Sequence, residues 1–183
     1  MPASEYEFSY IVGLGNPGEE YEATYHNVGF LALDSFCENE RPDWRRSSSG
    51  RFLYRTEGPY TFIKPLTYMN LSGSAVSEAL RYFSAGKASL LVIHDDIDLP
   101  IGAHRFSLGR GHAGHRGVAS IIETLGDRDF ARVRIGIAPM EGSDAKRVKA
   151  EDLVLRPIRK EHAEALFTAF ADIKKTYLPL LGH

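Results

Sequence analysis

A chain of 183 residues, 43% hydrophobic and 25% charged, has the size of one ordinary domain and the composition of a globular protein. Disorder, collagen and coiled coil drop out, and no stretch approaches the roughly 18 uninterrupted apolar residues of a membrane span. The net charge of -2 excludes little, but its distribution is uneven: residues 1–100 sum to -6 and residues 101–183 to +4. Between Asp98 and Glu123 there is no acidic residue, and that stretch carries Arg105, Arg110, Arg116, His104, His112 and His115. A local positive surface is expected there, although a solvated basic loop is the commoner meaning of such a cluster. Met1 to Phe8 has no basic segment leading into an apolar one, so no export signal is expected. Cys37 is the single cysteine, which leaves no intramolecular disulfide and makes a reducing, cytoplasmic location the expectation.

In chain order, Phe8 to Leu14 is an apolar run ended by Gly15, Asn16, Pro17 and Gly18, which predicts a buried first strand entering a loop that lasts to about His26. Asn27 is a candidate cap for a helix through Val28, Leu31, Ala32, Ser35 and Phe36 to about Asn39. Arg51 to Thr56 and Tyr60 to Lys64 flank Gly58-Pro59 as a hairpin, and Pro65 ends its second strand. Ser72 is a candidate cap for a helix with Val76, Leu80 and Phe83 on one face, closed by Gly86. Leu90 to His94 is the most apolar strand, and it delivers His94, Asp95 and Asp96 to its C-terminal end, where open α/β sheets keep their sites. A glycine-rich loop leads to a helix through Val118, Ile121, Ile122 and Leu125, closed by Gly126. Arg132 to Ala138 alternates as a strand, with the arginines opposite Val133, Ile135 and Ile137, and a last helix is predicted to start at Pro157. This order predicts an α/β fold: a single domain over residues 1–183, with a mixed β-sheet flanked by helices.

Gly13 to Gly18 matches G-x-G-x-x-G, but eight residues with Glu19, Glu20 and Glu22 separate it from any helix, and carboxylates repel a pyrophosphate. No G-K-[ST] follows, so a phosphate-cradling loop is excluded as well. His26, just before a helix, would by itself more often be a capping or exposed histidine. Two other polar loops change that balance: Asp95, Asp96 and Asp98 end a strand, and Tyr68-Met69-Asn70 precedes a helix. A neutral imidazole that takes a proton from water needs a carboxylate on its other nitrogen, and Asp95 is the candidate. A turn rich in Asx residues is one rival reading; a metal site of Asp95, Asp96, His112 and His115 is another, without any H-E-x-x-H spacing.

The segments IVGLGNPGEEYEATYHNVGF, FIKPLTYMNLSGSAV, VIHDDIDLPIG and GHAGHRGVASIIETLG, in this order, resemble bacterial-type peptidyl-tRNA hydrolase over about Tyr10 to Ala138, with the C-terminal helix only loosely similar. The resemblance implies cleavage of the ester between a stalled peptide and the 3′ ribose of its tRNA, without metal or organic cofactor, by a monomer. It places His26 on the family's catalytic histidine and Asp95 on the aspartate that orients it. Asn16 and Asn70 fall on asparagines that hold the peptide end and the reacting carbonyl, and Tyr21 and Met69 on residues that line the cleft. Arg134 falls on an arginine that grips the tRNA 5′ phosphate. Three positions depart from the family pattern: Tyr25 replaces an arginine, Arg116 replaces an asparagine near the reacting group, and Ser107 replaces the second phosphate-binding cation, a lysine. Arg105 or Arg110 is expected to take over that last role, Arg116 to remain substrate-binding, and Lys174 or Lys175 to add RNA contacts. The runner-up is a catalytically silent RNA-binding module on the same fold, favoured by Arg116 and Ser107 and opposed by the four retained site residues.

Overall fold

Successive residues of the central strands feed opposite apolar layers, as the period of two in a strand requires. The computed structural model describes residues 7–37, 43–139 and 150–179. In β1 (Tyr10–Gly13) Ile11 enters one layer and Val12 the other; in β5 (Leu90–Pro100) Leu91 and Ile93 face the first, Leu90 and Val92 the second. The first layer is closed by α1 (Val28–Ser35) and α5 (Lys160–Tyr177), through Val28, Leu33, Leu166, Phe170 and Ile173. The second is closed by α2 (Ser72–Tyr82) and α3 (Arg116–Leu125), through Val76, Leu80, Val118 and Ile121. Burying each such side chain contributes about 1.5–3 kcal/mol before the entropy of ordering it is subtracted.

The remaining strands are β2 (Arg45–Arg46), β3 (Phe52–Glu57), β4 (Tyr60–Pro65), β6 (His104–Leu108) and β7 (Ala131–Ala138), and the seven form one sheet in the order β2-β3-β4-β1-β5-β7-β6. β4, β1, β5 and β7 run parallel; β2, β3 and β6 pair antiparallel with their neighbours. The mixed sheet between helices is thus the predicted architecture. Gly29 permits the seating of α1: a Cβ there would lie 2.5 Å from Leu14 N and Ile93 O. Among the described residues no helix is long and apolar enough to cross a membrane.

Local details depart from the sequence reading for identifiable reasons. Asn27 does not cap α1 with its side chain, because that amide bonds instead to the backbone of Asn16. α1 ends at Ser35; the expected end near Asn39 lies outside the described residues, as do the first six residues and the last four. Ser72 is inside α2, its hydroxyl donating back to Met69 O, and the left-handed residue after α2 is Ser84 rather than Gly86. Gly126 does close α3 in the left-handed conformation. Pro157 is not helical but forms a bridge with Thr24, and α5 starts at Lys160. β2, β6 and the short α4 (Ala150–Val154) form where the sequence predicts no element. β5 continues past His94 to Pro100, because pairing with β7 carries it beyond its apolar part.

Candidate active site

Three loops meet at Asn16. Its backbone N–H donates to Asn27 Oδ1 and its carbonyl accepts from Asn27 Nδ2, both at 2.9 Å, so the loop after β1 is locked to the single 3₁₀ turn Tyr25–Asn27. Its side-chain oxygen accepts from Met69 N–H at 2.8 Å, which ties in the loop after β4. That contact orients the Asn16 amide and leaves its NH₂ to donate elsewhere. All three partners are buried, so the geometry of this corner is over-determined.

His26, on the turn, is 8% exposed, and its Nδ1 lies 2.9 Å from Asp95 Oδ1; Asp95 is 2% exposed on β5. His115 Nε2 lies 2.9 Å from the same oxygen. The hydrogen-bond pattern sets the tautomers. His115 caps α3, with Nδ1 accepting from Gly117 N–H at 3.1 Å and Val118 N–H at 3.3 Å, so its proton sits on Nε2 and is donated to Asp95. His26 likewise donates Nδ1–H, which leaves Nε2 as a free acceptor. Burial pushes the Asp95 pKa up, but the adjacent His115 and His26 and their hydrogen bonds outweigh burial and hold the carboxyl well below its ordinary range. His94, beneath them, donates from Nδ1 to Asp95 O at 2.7 Å, and its ring centroid is 4.5 Å from that of His115. Burial, then His115, keep the His94 pKa well below its ordinary value.

These groups open on a cleft of about 1440 Å³, beside the C-terminal ends of β1 and β4, as expected for an open α/β sheet. Its lining includes the sequence-predicted Asn16, Tyr21, His26, Met69, Asn70, Asp95, Arg105, Arg110, Arg116 and Arg134. Lys174 and Lys175, in the last turn of α5, are not part of it. Arg134 is held by Asp96 Oδ2 at 2.7 Å and Ser107 Oγ at 3.0 Å, so these two side chains together aim its guanidinium. Arg116 donates to Glu151 Oε1 at 2.9 Å.

The rival metal set of Asp95, Asp96, His112 and His115 is not assembled among the described residues. The trio whose ligand atoms come within 4.8 Å of one another is His26, Asp95 and His115, already joined by hydrogen bonds, whereas Asp96 binds Arg134 and His112 accepts from Gly114 N–H at 3.1 Å. Three residues have roles that their sequence positions do not announce: His115 reads as part of a basic stretch or a rival metal ligand, Asn27 as a cap, and Arg132 as the side of a strand opposite its apolar face. Arg132 is 2% exposed: it donates to the carbonyls of Arg110 at 3.0 Å and Gly111 at 2.8 Å, and NH1 lies 3.3 Å from His94 Nε2. It thereby pins the glycine-rich loop to the sheet. Nothing local marks this role in the sequence: Arg132 and Arg134 share the polar side of an alternating strand, and the glycine-rich loop that covers Arg132 is separated from it along the chain by α3.

The model of the peptidyl-tRNA hydrolase family matches residues 10–181. The chain belongs to that family. Among its relatives, the peptidyl-tRNA hydrolase of Sulfurihydrogenibium sp. is 40% identical over 176 residues, covering 94% of this chain and 90% of that one. The Sorangium cellulosum family member is 45% identical over 130 residues, which span 69% of this chain and 58% of that one. The crystal structure of the peptidyl-tRNA hydrolase from Acinetobacter baumannii superposes with a TM-score of 0.77 at 27% identity, over 94% of this chain and 89% of that one.

Proposed function

We propose that this protein, working as one domain over residues 1–183, hydrolyses the ester that joins a peptide to the 3′ ribose of tRNA and so releases both. The observation that carries the reading is the buried His26–Asp95 pair at 2.9 Å, opening on a cleft with several arginines. His26 Nε2 takes a proton from water while Asp95 holds the ring and stabilises the imidazolium. The hydroxide adds to the ester carbonyl, and the tetrahedral intermediate expels the ribose oxygen, which recovers the proton from His26. The products are a peptide acid and a free tRNA hydroxyl. The Asn16 NH₂ and the Asn70 amide supply uncharged donors for the peptide and the developing oxyanion. Tyr21 and Met69 shape the cleft wall, and Arg116 binds substrate at its rim. Arg105, Arg110 and Arg134 contact RNA phosphates. The reaction proceeds without metal or organic cofactor, by a cytoplasmic monomer. A silent RNA-binding module is not favoured, since family membership is joined by an intact proton-transfer pair.

The test is release of tRNA from an N-blocked aminoacyl-tRNA with EDTA present. His26→Ala is expected to lower kcat by about 10²–10⁴, the usual contribution of a positioned base, with tRNA affinity retained. Substantial residual hydrolysis in His26→Ala removes His26 from the mechanism, and loss of wild-type activity in EDTA overturns the metal-free route.

A further inference from the structure

Arg116 is the first residue of α3 and directly follows His115, whose imidazole is bonded to Asp95; its guanidinium therefore leaves the backbone at the edge of the proposed reaction centre. It does not turn inward. Its side chain is 65% exposed and meets Glu151 Oε1, 75% exposed, at 2.9 Å. Both residues line the cleft, and Glu151 belongs to α4, which packs on the Tyr25–Asn27 turn. The pair thus bridges two walls of the cleft mouth. An ion pair this exposed contributes little to stability and exchanges readily. A guanidinium, by contrast, is permanently charged and matches the geometry of a phosphate with two parallel N–H donors.

The chemistry of the substrate supplies the anion. A peptide esterified to the terminal ribose sits on a nucleoside whose 5′ oxygen carries the last phosphodiester of the strand. Placing the ester carbonyl at His26 brings that phosphodiester into the same cleft, one nucleoside away. We propose that Arg116 binds the terminal phosphodiester of the RNA substrate, exchanging its contact with Glu151 for the phosphate, and that Glu151 is a competing carboxylate that weakens this contact. The proposal rests on the hydrolase reading and adds to it a phosphate site, together with the residue that tunes it.

The experiment compares one N-blocked aminoacyl ester on two carriers: adenosine, which lacks the phosphodiester, and the dinucleotide cytidylyl-adenosine, which has it. The readout is the ratio of kcat/KM for the dinucleotide ester to that for the adenosine ester. Arg116→Gln is expected to lower the ratio about tenfold, a loss of about 1.4 kcal/mol. Glu151→Gln is expected to raise it several-fold. An unchanged ratio in Arg116→Gln overturns the phosphate contact, and a lowered ratio in Glu151→Gln overturns the competition. Affinities of the same proteins for unesterified adenosine and cytidylyl-adenosine, followed by NMR titration, carry the same comparison without turnover. A wild type that cleaves neither ester nor aminoacyl-tRNA sinks the hydrolase reading, while the binding ratio still decides the phosphate site.

Discussion

Asp95 receives hydrogen bonds from two histidines on one carboxylate oxygen, and each imidazole has its tautomer imposed by a different constraint. His115 is fixed by the N-terminus of α3; His26 is fixed by Asp95 itself. The same burial makes the acid limb of stability predictable. Folded His94 stays neutral, whereas in the unfolded chain it titrates near 6.5, so below about pH 6.5 the unfolded state binds more protons and stability falls. Asp95 has the same sign: its folded pKa is depressed, so its contribution is present above about pH 4 and is lost as pH falls further. The melting temperature is therefore expected to decline from about pH 6.5 downward and more steeply below about pH 4. Thermal melts across this range check it, with a shallower slope between pH 6.5 and 5 in His94→Gln; identical slopes would refute the assignment to His94.

The element that carries His26 is a single 3₁₀ turn, too short to hold its own shape, and its neighbours hold it. The connector between α4 and α5 docks on it through Tyr25 N–H to Arg156 O at 3.2 Å and Ile158 N–H to Ala23 O at 2.7 Å. The buried Tyr25 hydroxyl, 2.6 Å from His162 Nδ1, also accepts from Arg159 N–H at 3.3 Å. This gives Tyr25 a physical role: it ties the turn to α5. Tyr25→Phe deletes the hydroxyl and leaves the Arg159 N–H without that acceptor, a cost of about 1–2 kcal/mol. Denaturant titration is expected to show that loss, and steady-state kinetics a several-fold fall in kcat with KM nearly unchanged. A change confined to KM would separate Tyr25 from the placement of His26.

Over the whole molecule, negative charge gathers in residues 1–100 and positive charge in residues 101–183, and the fold brings Arg105, Arg110, Arg116 and Arg134 from the second part around one cleft. Three or four phosphate contacts by these arginines predict that log K for tRNA falls with log salt at a slope of about -2 to -4. Filter binding or fluorescence titration over 50–300 mM salt measures it. A slope near zero would show that the cleft arginines do not meet phosphates.

Most strands and helices are legible because their apolar spacing is strong and local: Ile11 and Val12 alternate, and Val118, Ile121, Ile122 and Leu125 recur at helical intervals, whereas β2 and β6 carry no such apolar run. His26 and Asp95 were legible as candidates because loop polarity at strand and helix ends marks where side chains reach a shared crevice. The family, too, was readable from four ordered motifs. What those motifs do not contain is direction. Asn27 and Ser72 look like caps in one dimension, yet one bonds across the chain to Asn16 and the other back to Met69 O. Arg132 reads as the polar side of an alternating strand until the glycine-rich loop covers it, and Arg116 reads as a substituted site asparagine until Glu151, 35 residues on, meets it at the rim. Local spacing determines which face of an element is apolar; which polar group meets which is decided only when distant segments are packed, because a hydrogen bond depends on separation and angle in space and not along the chain.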